Sequence, residues 1–586
     1  MKHCNAVFFC FIFGFLLSAF GCVLESSDDV SSSGKVTQTA SGSSFSANNK
    51  IYIDLTAKNV STESASASGT SITATEALYI GETVGVSLSD SVVIKIDATD
   101  IDSNLAIYLS GTLSTGGVKI QTSTDYEIGL YLSEVTISSS NYPCIDMTKG
   151  GAVSVFLTGT NNLTDGRTYG YGYGDSASGS QNPVSTGSDS KGTLYCKGGM
   201  AISGTGSLSV TQAYKNCIAS KDGYLAIESG TLTLKNYKDS TNDPISNHSS
   251  ITDTGKNGLF GGQGITVSGG AITFYGCGII STSDVRKANA FKTDDDDYTS
   301  SYVKISGGTT TVKTYNGKGI NAPIIEISGG TNTFIVDGTT LNSTSRTYYD
   351  ADGIKQSKTL KFSPEGIEAE NSITISAGLT QIGSLEVCVP DDGINVSATG
   401  GTLTISGGIL CVYAGGDGLD SNGNITISGG TTIVSQTDGG NSPIDCGDNY
   451  KFTVTATSAT VFAMGSSDMF SESIPSSIVS AMIYLKKSLS GSAGTSLGVN
   501  NIIGVKSPLA YDAAILVSSS LTSGTSYSFV KGGTLSGTEI LSGIYYPAAV
   551  SDGTSVSATA TTSSSSGGSS TNHGGSNTPG GGPGQH

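Results

Sequence analysis

From Ile51 to about Tyr450, short apolar runs alternate with serine, threonine and glycine, and almost every run ends on a glycine or serine. Strict alternation places one set of side chains inside and the other outside, which is the signature of a half-buried β-strand. Amphipathic helical stretches are nearly missing. Three runs have one form: Ile373-Thr374-Ile375-Ser376, Leu403-Thr404-Ile405-Ser406 and Ile425-Thr426-Ile427-Ser428. Each is closed by a small turn, Ala377-Gly378, Gly407-Gly408 and Gly429-Gly430. Related turns stand at Ser203-Gly204, Ser229-Gly230, Ser268-Gly269, Ser306-Gly307 and Ser328-Gly329. Their spacing implies a unit of roughly 22–25 residues with insertions near 164–190, 239–257, 282–301 and 338–364.

A unit of that length is about half a propeller blade, and it lacks the dense leucines of a leucine-rich repeat. Three short strands with three turns fit it. The pattern therefore predicts an all-β fold, a right-handed parallel β-helix over residues 50–450. Ile367, Ile394, Leu419 and Ile444 are expected to stack in the interior, with the glycines before them at a corner that needs unusual dihedrals. After residue 451 the short repeat is lost, and residues 451–550 read as a C-terminal β cap or small domain. Residues 551–586 hold mostly Ser, Thr, Gly and Pro and read as a disordered tail.

The N-terminus has a different pattern. Lys2 and His3 precede an apolar run over residues 6–17, and Ser18-Ala19-Phe20-Gly21-Cys22 follows. The run is short for a membrane span and reads as a secretory signal over residues 1–21. Its end resembles a lipobox with Cys22 as the lipidated residue, and residues 22–49 read as a flexible tether. The expectation is a monomeric surface lipoprotein that meets the membrane only through a lipid anchor.

Charge narrows the partners. The formal net charge is −18, with no basic cluster to neutralise phosphates, which argues against nucleic acid. An acidic chain facing an acidic polymer needs a cation between them. There are ten cysteines; the seven beyond the targeting segment form no CxxC pair and read as buried small apolar residues. The four histidines (His3, His248, His573 and His586) give little support to a histidine-based triad.

The candidate chemistry lies in a recurring phrase. It reads Glu365-Gly366-Ile367-Glu368, Asp392-Gly393-Ile394-Asn395 and Asp417-Gly418-Leu419-Asp420, with glycines 27 and then 25 residues apart. In-phase strands lie about 4.8 Å apart, so these acids should stack, with Asn395 between Glu368 and Asp420. Like charges at that spacing repel by roughly 1–3 kcal/mol per contact, and a hard cation with carboxylate and amide oxygens relieves them. The expected metal ligands are Glu365, Glu368, Asp391, Asp392, Asn395, Asp417 and Asp420, and the expected ion is calcium. A second acidic run, residues 294–297, reads as a solvated loop. Lys355 and Lys451 are the nearest lysines that could act as a base, and neither sits in a motif.

These phrases, with Ile202-Ser203-Gly204-Thr205-Gly206 and Ile218-Ala219-Ser220-Lys221-Asp222-Gly223, resemble the bacterial carbohydrate-binding parallel β-helix family of clostridial type. That family is similar in fold to the family-nine pectate lyases. The resemblance implies bound calcium and binding of plant cell-wall polysaccharide, including acidic pectic chains. It implies Asp391, Asp392, Asn395, Asp417 and Asp420 as calcium ligands. The chain departs from the pattern where Asn395 replaces an acid and Gly416 precedes Asp417. Three functions follow as expectations: non-catalytic, calcium-dependent polysaccharide binding; a calcium-dependent pectate lyase; and a structural adhesin or spacer.

Overall fold

The computed structural model describes residues 45–563, less residues 48, 57–58, 65–72, 76–91, 99–102, 123–124, 141, 150, 169–191, 281–284, 294–297, 350–354 and 438. All of these lie in the second of two compact units, residues 34–586. The signal segment, Cys22, most of the tether, the acidic run at 294–297 and the tail after 563 lie outside the described residues.

The described chain is almost entirely β. Its one α-helix, Pro244–Asn247, has four residues and is followed by a single 3-10 turn, His248–Ser250. Thirty-six strands form one sheet. Within it, a strand pairs in parallel with the strand a full repeat later. Ile394–Val396 pairs with Leu419–Ser421, Thr402–Ile405 with Asn424–Ile427, and Ile409–Ala414 with Thr431–Gln436. Those three pair onward with Ile444–Cys446, Phe452–Val454 and Thr460–Gly465. Each level of three strands is called a tier below.

The expectation of an open right-handed β-helix solenoid is corrected by how the sheet closes. Ile320–Asp337 is one continuous strand that pairs with Phe291–Thr293, Tyr302–Ile305 and Thr309–Tyr315 in turn. Ile367–Ile382 likewise meets the three strands of the next tier. The ladders are thus joined sideways and close around one core, in the manner of a parallel β-barrel. Turn spacing reveals the length of a repeat, but it carries no signal for strands that bend through a corner without ending.

The interior follows the alternation. Register stacks Phe291, Ile320, Ile367, Ile394, Leu419 and Ile444, and all six are fully buried. Burial of each such side chain contributes about 1.5–3 kcal/mol.

The glycines of the phrase do not have the role expected of them. Left-handed backbone occurs instead at the second turn glycine, with φ of +80° at Gly378, +77° at Gly408 and +75° at Gly430. The phrase glycines are required by crowding. A Cβ on Gly393 would lie 2.2 Å from Val412 Cγ1, and one on Gly418 would lie 2.1 Å from Val434 Cγ1.

The parallel pairing runs past residue 450, to Thr460–Gly465 and Ser477–Ile478. There Tyr511–Ser518 pairs antiparallel with Thr460–Gly465, and Ala481–Gly491 pairs antiparallel with Tyr511–Ser518. A separate six-stranded antiparallel sheet spans Ser496–Val499 to Thr554–Thr559. Its last strand lies inside the stretch expected as tail. The insertion at 338–364 is an antiparallel hairpin, Leu341–Tyr349 with Lys355–Phe362. The seven described cysteines are all free, and five are buried, as small apolar residues would be.

Candidate functional site

Two outward columns rise beside the stacked Ile and Leu residues. Backbone hydrogen bonds and register align Lys318, Glu365, Asp392, Asp417 and Ser442 in the column before the glycine position. The second column holds Lys292, Asn321, Glu368, Asn395, Asp420 and Asp445, paired residue by residue. Their side chains are buried or half-buried.

The lowest pair of acids meets a lysine. Lys318 Nζ lies 3.1 Å from Glu365 Oε2 and donates a short hydrogen bond to Glu368 Oε2. Asn321 Nδ2 donates to the same Glu368 oxygen at 2.6 Å. The side chains of Lys318 and Glu365 are only 6% and 4% exposed. Burial opposes the Lys318 ammonium, but Glu365 and Glu368 together outweigh it and hold its pKa above the ordinary range. Burial likewise opposes the Glu368 carboxylate, but Lys318 more than offsets this and holds Glu368 below its ordinary value. Glu365 is pushed up to about 7 by burial and then by Glu368, against the pull of Lys318. In this tier the cation is an ammonium group of the chain itself, so Glu365 and Glu368 are taken up by Lys318.

In the next tiers no ion pair between a lysine and Asp392, Asp417 or Asp420 is formed among the described residues. Asp392 Oδ1 accepts from the Asp417 N–H at 2.8 Å, and Asp417 Oδ1 accepts from the Ser442 N–H at 2.5 Å. Each acid is thereby pinned to the tier that follows. Burial pushes Asp392 well above the carboxylate range, with further push from Glu365, Asp391, Asp420 and Asp417. Asp417 is raised to about 7 by burial, opposed by the hydrogen bond from Ser442, with Asp445 and Glu472 adding to the rise. Asp420 reaches about 8 through burial, then Asp417 and Asp445. Asp391 is raised by burial, against a hydrogen bond from Ser363.

Two further acids belong here that sequence reasoning missed. Asp445 lies opposite Asp420 in register and is raised to about 6 by burial and then Asp448. Glu472 is raised to about 7 by burial and then Asp445. The signal for Asp445 was present in Ser442-Pro443-Ile444-Asp445, which aligns with Asp417-Gly418-Leu419-Asp420. Pro443 at the glycine position disguised it. Glu472 comes from a loop outside the repeat and carried no signal.

The donor set suits a hard cation in part. It offers only oxygens, which calcium prefers. Asn395 Oδ1 is buried and accepts no hydrogen bond. Gly416 also leaves room at this place: a Cβ there would lie 2.6 Å from Asp392 Oδ1 and 3.0 Å from Asp391 Oδ1. The departure of Gly416 from the family pattern thus has a steric reason. Among the described residues, however, no three acids, histidines or cysteines converge on one ion position. Lys355 lies on the hairpin, and Lys451 follows the turn at residues 447–450, where its N–H donates to Asn424 Oδ1 at 3.0 Å.

Residues 92–406 match the model of a family described as carbohydrate-binding domain-containing protein. No curated protein matches the chain. Among solved structures, the chain is similar to a polysaccharide lyase-like protein from C. thermocellum, studied as a gadolinium derivative. The two share 20% identity with a TM-score of 0.31, over 48% of this chain and 89% of that one.

Proposed function

Because this chain belongs to the carbohydrate-binding domain-containing protein family, we propose that it binds polysaccharide without cleaving it, and that calcium joins the glycan to the acidic columns. The observation that carries the reading is the tier change beside the glycine column. Lys318 pairs with Glu365 and Glu368 and holds Glu368 below its ordinary value, whereas Asp392, Asp417, Asp420 and Asp445 have raised pKa values and no ion pair with a lysine among the described residues.

Acids that burial and mutual repulsion keep from ionising gain most from a cation. Among the described residues fewer than three acids converge on one ion position, so water or glycan oxygens would complete the six to eight that calcium takes. Asp392, Asn395, Asp417, Asp420 and Asp445 would hold the ion. Lys318 is kept charged by two carboxylates and is therefore unfit as a base. Display at a cell surface through a lipidated Cys22 completes the proposal, on the sequence pattern alone.

The test is equilibrium binding to a polysaccharide panel, with calcium and with chelator. Polygalacturonate should be retained more strongly with calcium than with chelator, and Asp417→Asn should weaken the calcium-dependent retention about tenfold. Equal retention in chelator would sink the calcium bridge. Release of unsaturated product would sink the non-catalytic reading.

A further inference from the structure

The six-stranded antiparallel sheet lies outside the family match at residues 92–406, yet it carries an open surface pocket of about 450 Å³. Gly494, Gly532, Gly533 and Gly543 line it together with Lys506 and Tyr545. Three of these glycines are left-handed, with φ of +83° at Gly494, +74° at Gly532 and +75° at Gly543, so side chains are disfavoured where the pocket opens. The volume is within the range of small-ligand sites.

The register explains why two functional groups meet there. Ile503–Lys506 and Ile544–Ser551 pair antiparallel, with Val505 opposite Ile544 and Gly504 opposite Tyr545. The Lys506 N–H donates to the Gly543 carbonyl at 2.8 Å. Lys506 and Tyr545 are thus diagonal neighbours on one face of the sheet, and Gly504 and Gly543 opposite them contribute no bulk. Neither the Lys506 ammonium nor the Tyr545 hydroxyl has a side-chain partner among the described residues. The nearby acid, Glu539, has Oε1 engaged by the Gly543 N–H at 2.8 Å.

An unpaired ammonium, a half-buried aromatic ring and a floor of glycine backbone form a coherent recognition set. The ring offers an apolar face to a pyranose, the ammonium a counter-charge, and the backbone hydrogen-bonding groups for hydroxyls. We propose that this pocket is a second saccharide site, specific for a sugar acid, whose carboxylate pairs with Lys506 while the pyranose ring packs on Tyr545. It needs no metal ion, and it stands or falls independently of the acidic columns.

The full chain is dialysed to equilibrium against trigalacturonate in excess chelator, which silences any calcium bridge. Saturable binding is expected, weakened about tenfold by Lys506→Ala and by Tyr545→Leu, and largely kept by Lys506→Arg. The neutral trisaccharide of galactose should bind about tenfold more weakly than trigalacturonate. Asp417→Asn should leave this chelator-resistant binding unchanged, although it weakens the calcium-dependent binding. Thermal melting checks that each variant is folded; Lys506 is exposed, so its replacement leaves the sheet intact. Absence of saturable binding in chelator overturns the proposal. So does unaltered binding by a folded Lys506→Ala chain, or equal binding of the neutral trisaccharide.

Discussion

Lys318 is the residue on which the lower end of the acidic columns depends. It stands at the phrase position that Glu365, Asp392 and Asp417 occupy in later tiers, and its charge serves two buried or half-buried glutamates. Removal of one partner from a buried ion pair leaves an uncompensated charge, which costs about 3–5 kcal/mol. Lys318→Met should therefore lower unfolding stability by about that amount at pH 8. The loss should shrink in acid, where Glu365 and Glu368 are protonated and need no partner. Urea denaturation at the two pH values reads both effects; equal losses at each would contradict the ion-pair account. Gly319-Ile320-Asn321, which follows Lys318, keeps only part of the phrase. That Lys318 answers acids 47 and 50 residues later was not legible, because charge pairing across tiers depends on register.

At the scale of the strand and turn, the repeat was legible in the alternation and in the Ser-Gly turns. The stacked Ile and Leu residues follow directly from them. The closure of the sheet was not legible, since Ile320–Asp337 and Ile367–Ile382 carry turn-like sequences through corners where the strand continues. The phrase glycines were read for backbone freedom, whereas they serve close approach. Gly418→Ala would bring a Cβ to 2.1 Å from Val434 Cγ1 and 2.5 Å from the Pro443 carbonyl. Overpacking of this kind typically costs about 1–3 kcal/mol. Chemical denaturation of Gly418→Ala should show that loss, with calcium affinity falling as well because Asp417 and Asp420 flank the displaced residue. A variant as stable as the parent would show that the tier can relax around an added methyl group.

For the molecule as a whole, the raised acids set the pH dependence. A carboxyl group whose folded pKa exceeds its unfolded value binds its proton more tightly in the folded chain. Its contribution is fully present below the unfolded value near 4 and is lost as pH rises through the folded value. For Asp445, Asp417, Glu472 and Asp420, at about 6, 7, 7 and 8, that window runs from about pH 4 to pH 8. In chelator, the melting temperature attributable to these groups should be higher at pH 5 than at pH 8. Calcium should raise it at pH 8 and have little effect at pH 5, where protons already occupy the acids. Scanning calorimetry at the two pH values with and without calcium checks this. A calcium effect as large at pH 5 as at pH 8 would mean that the ion binds elsewhere.

The hydrogen bonds from the Asp417 and Ser442 amides to the acid one tier below have a practical consequence. Each of those two amide protons is a spectroscopic probe of the carboxylate that holds it. Its chemical shift should follow titration of that acid, and a cation that takes up the carboxylate should move it again. Asp392 and Asp417 could then be followed separately in one spectrum, which would reveal whether the two tiers load together or in sequence.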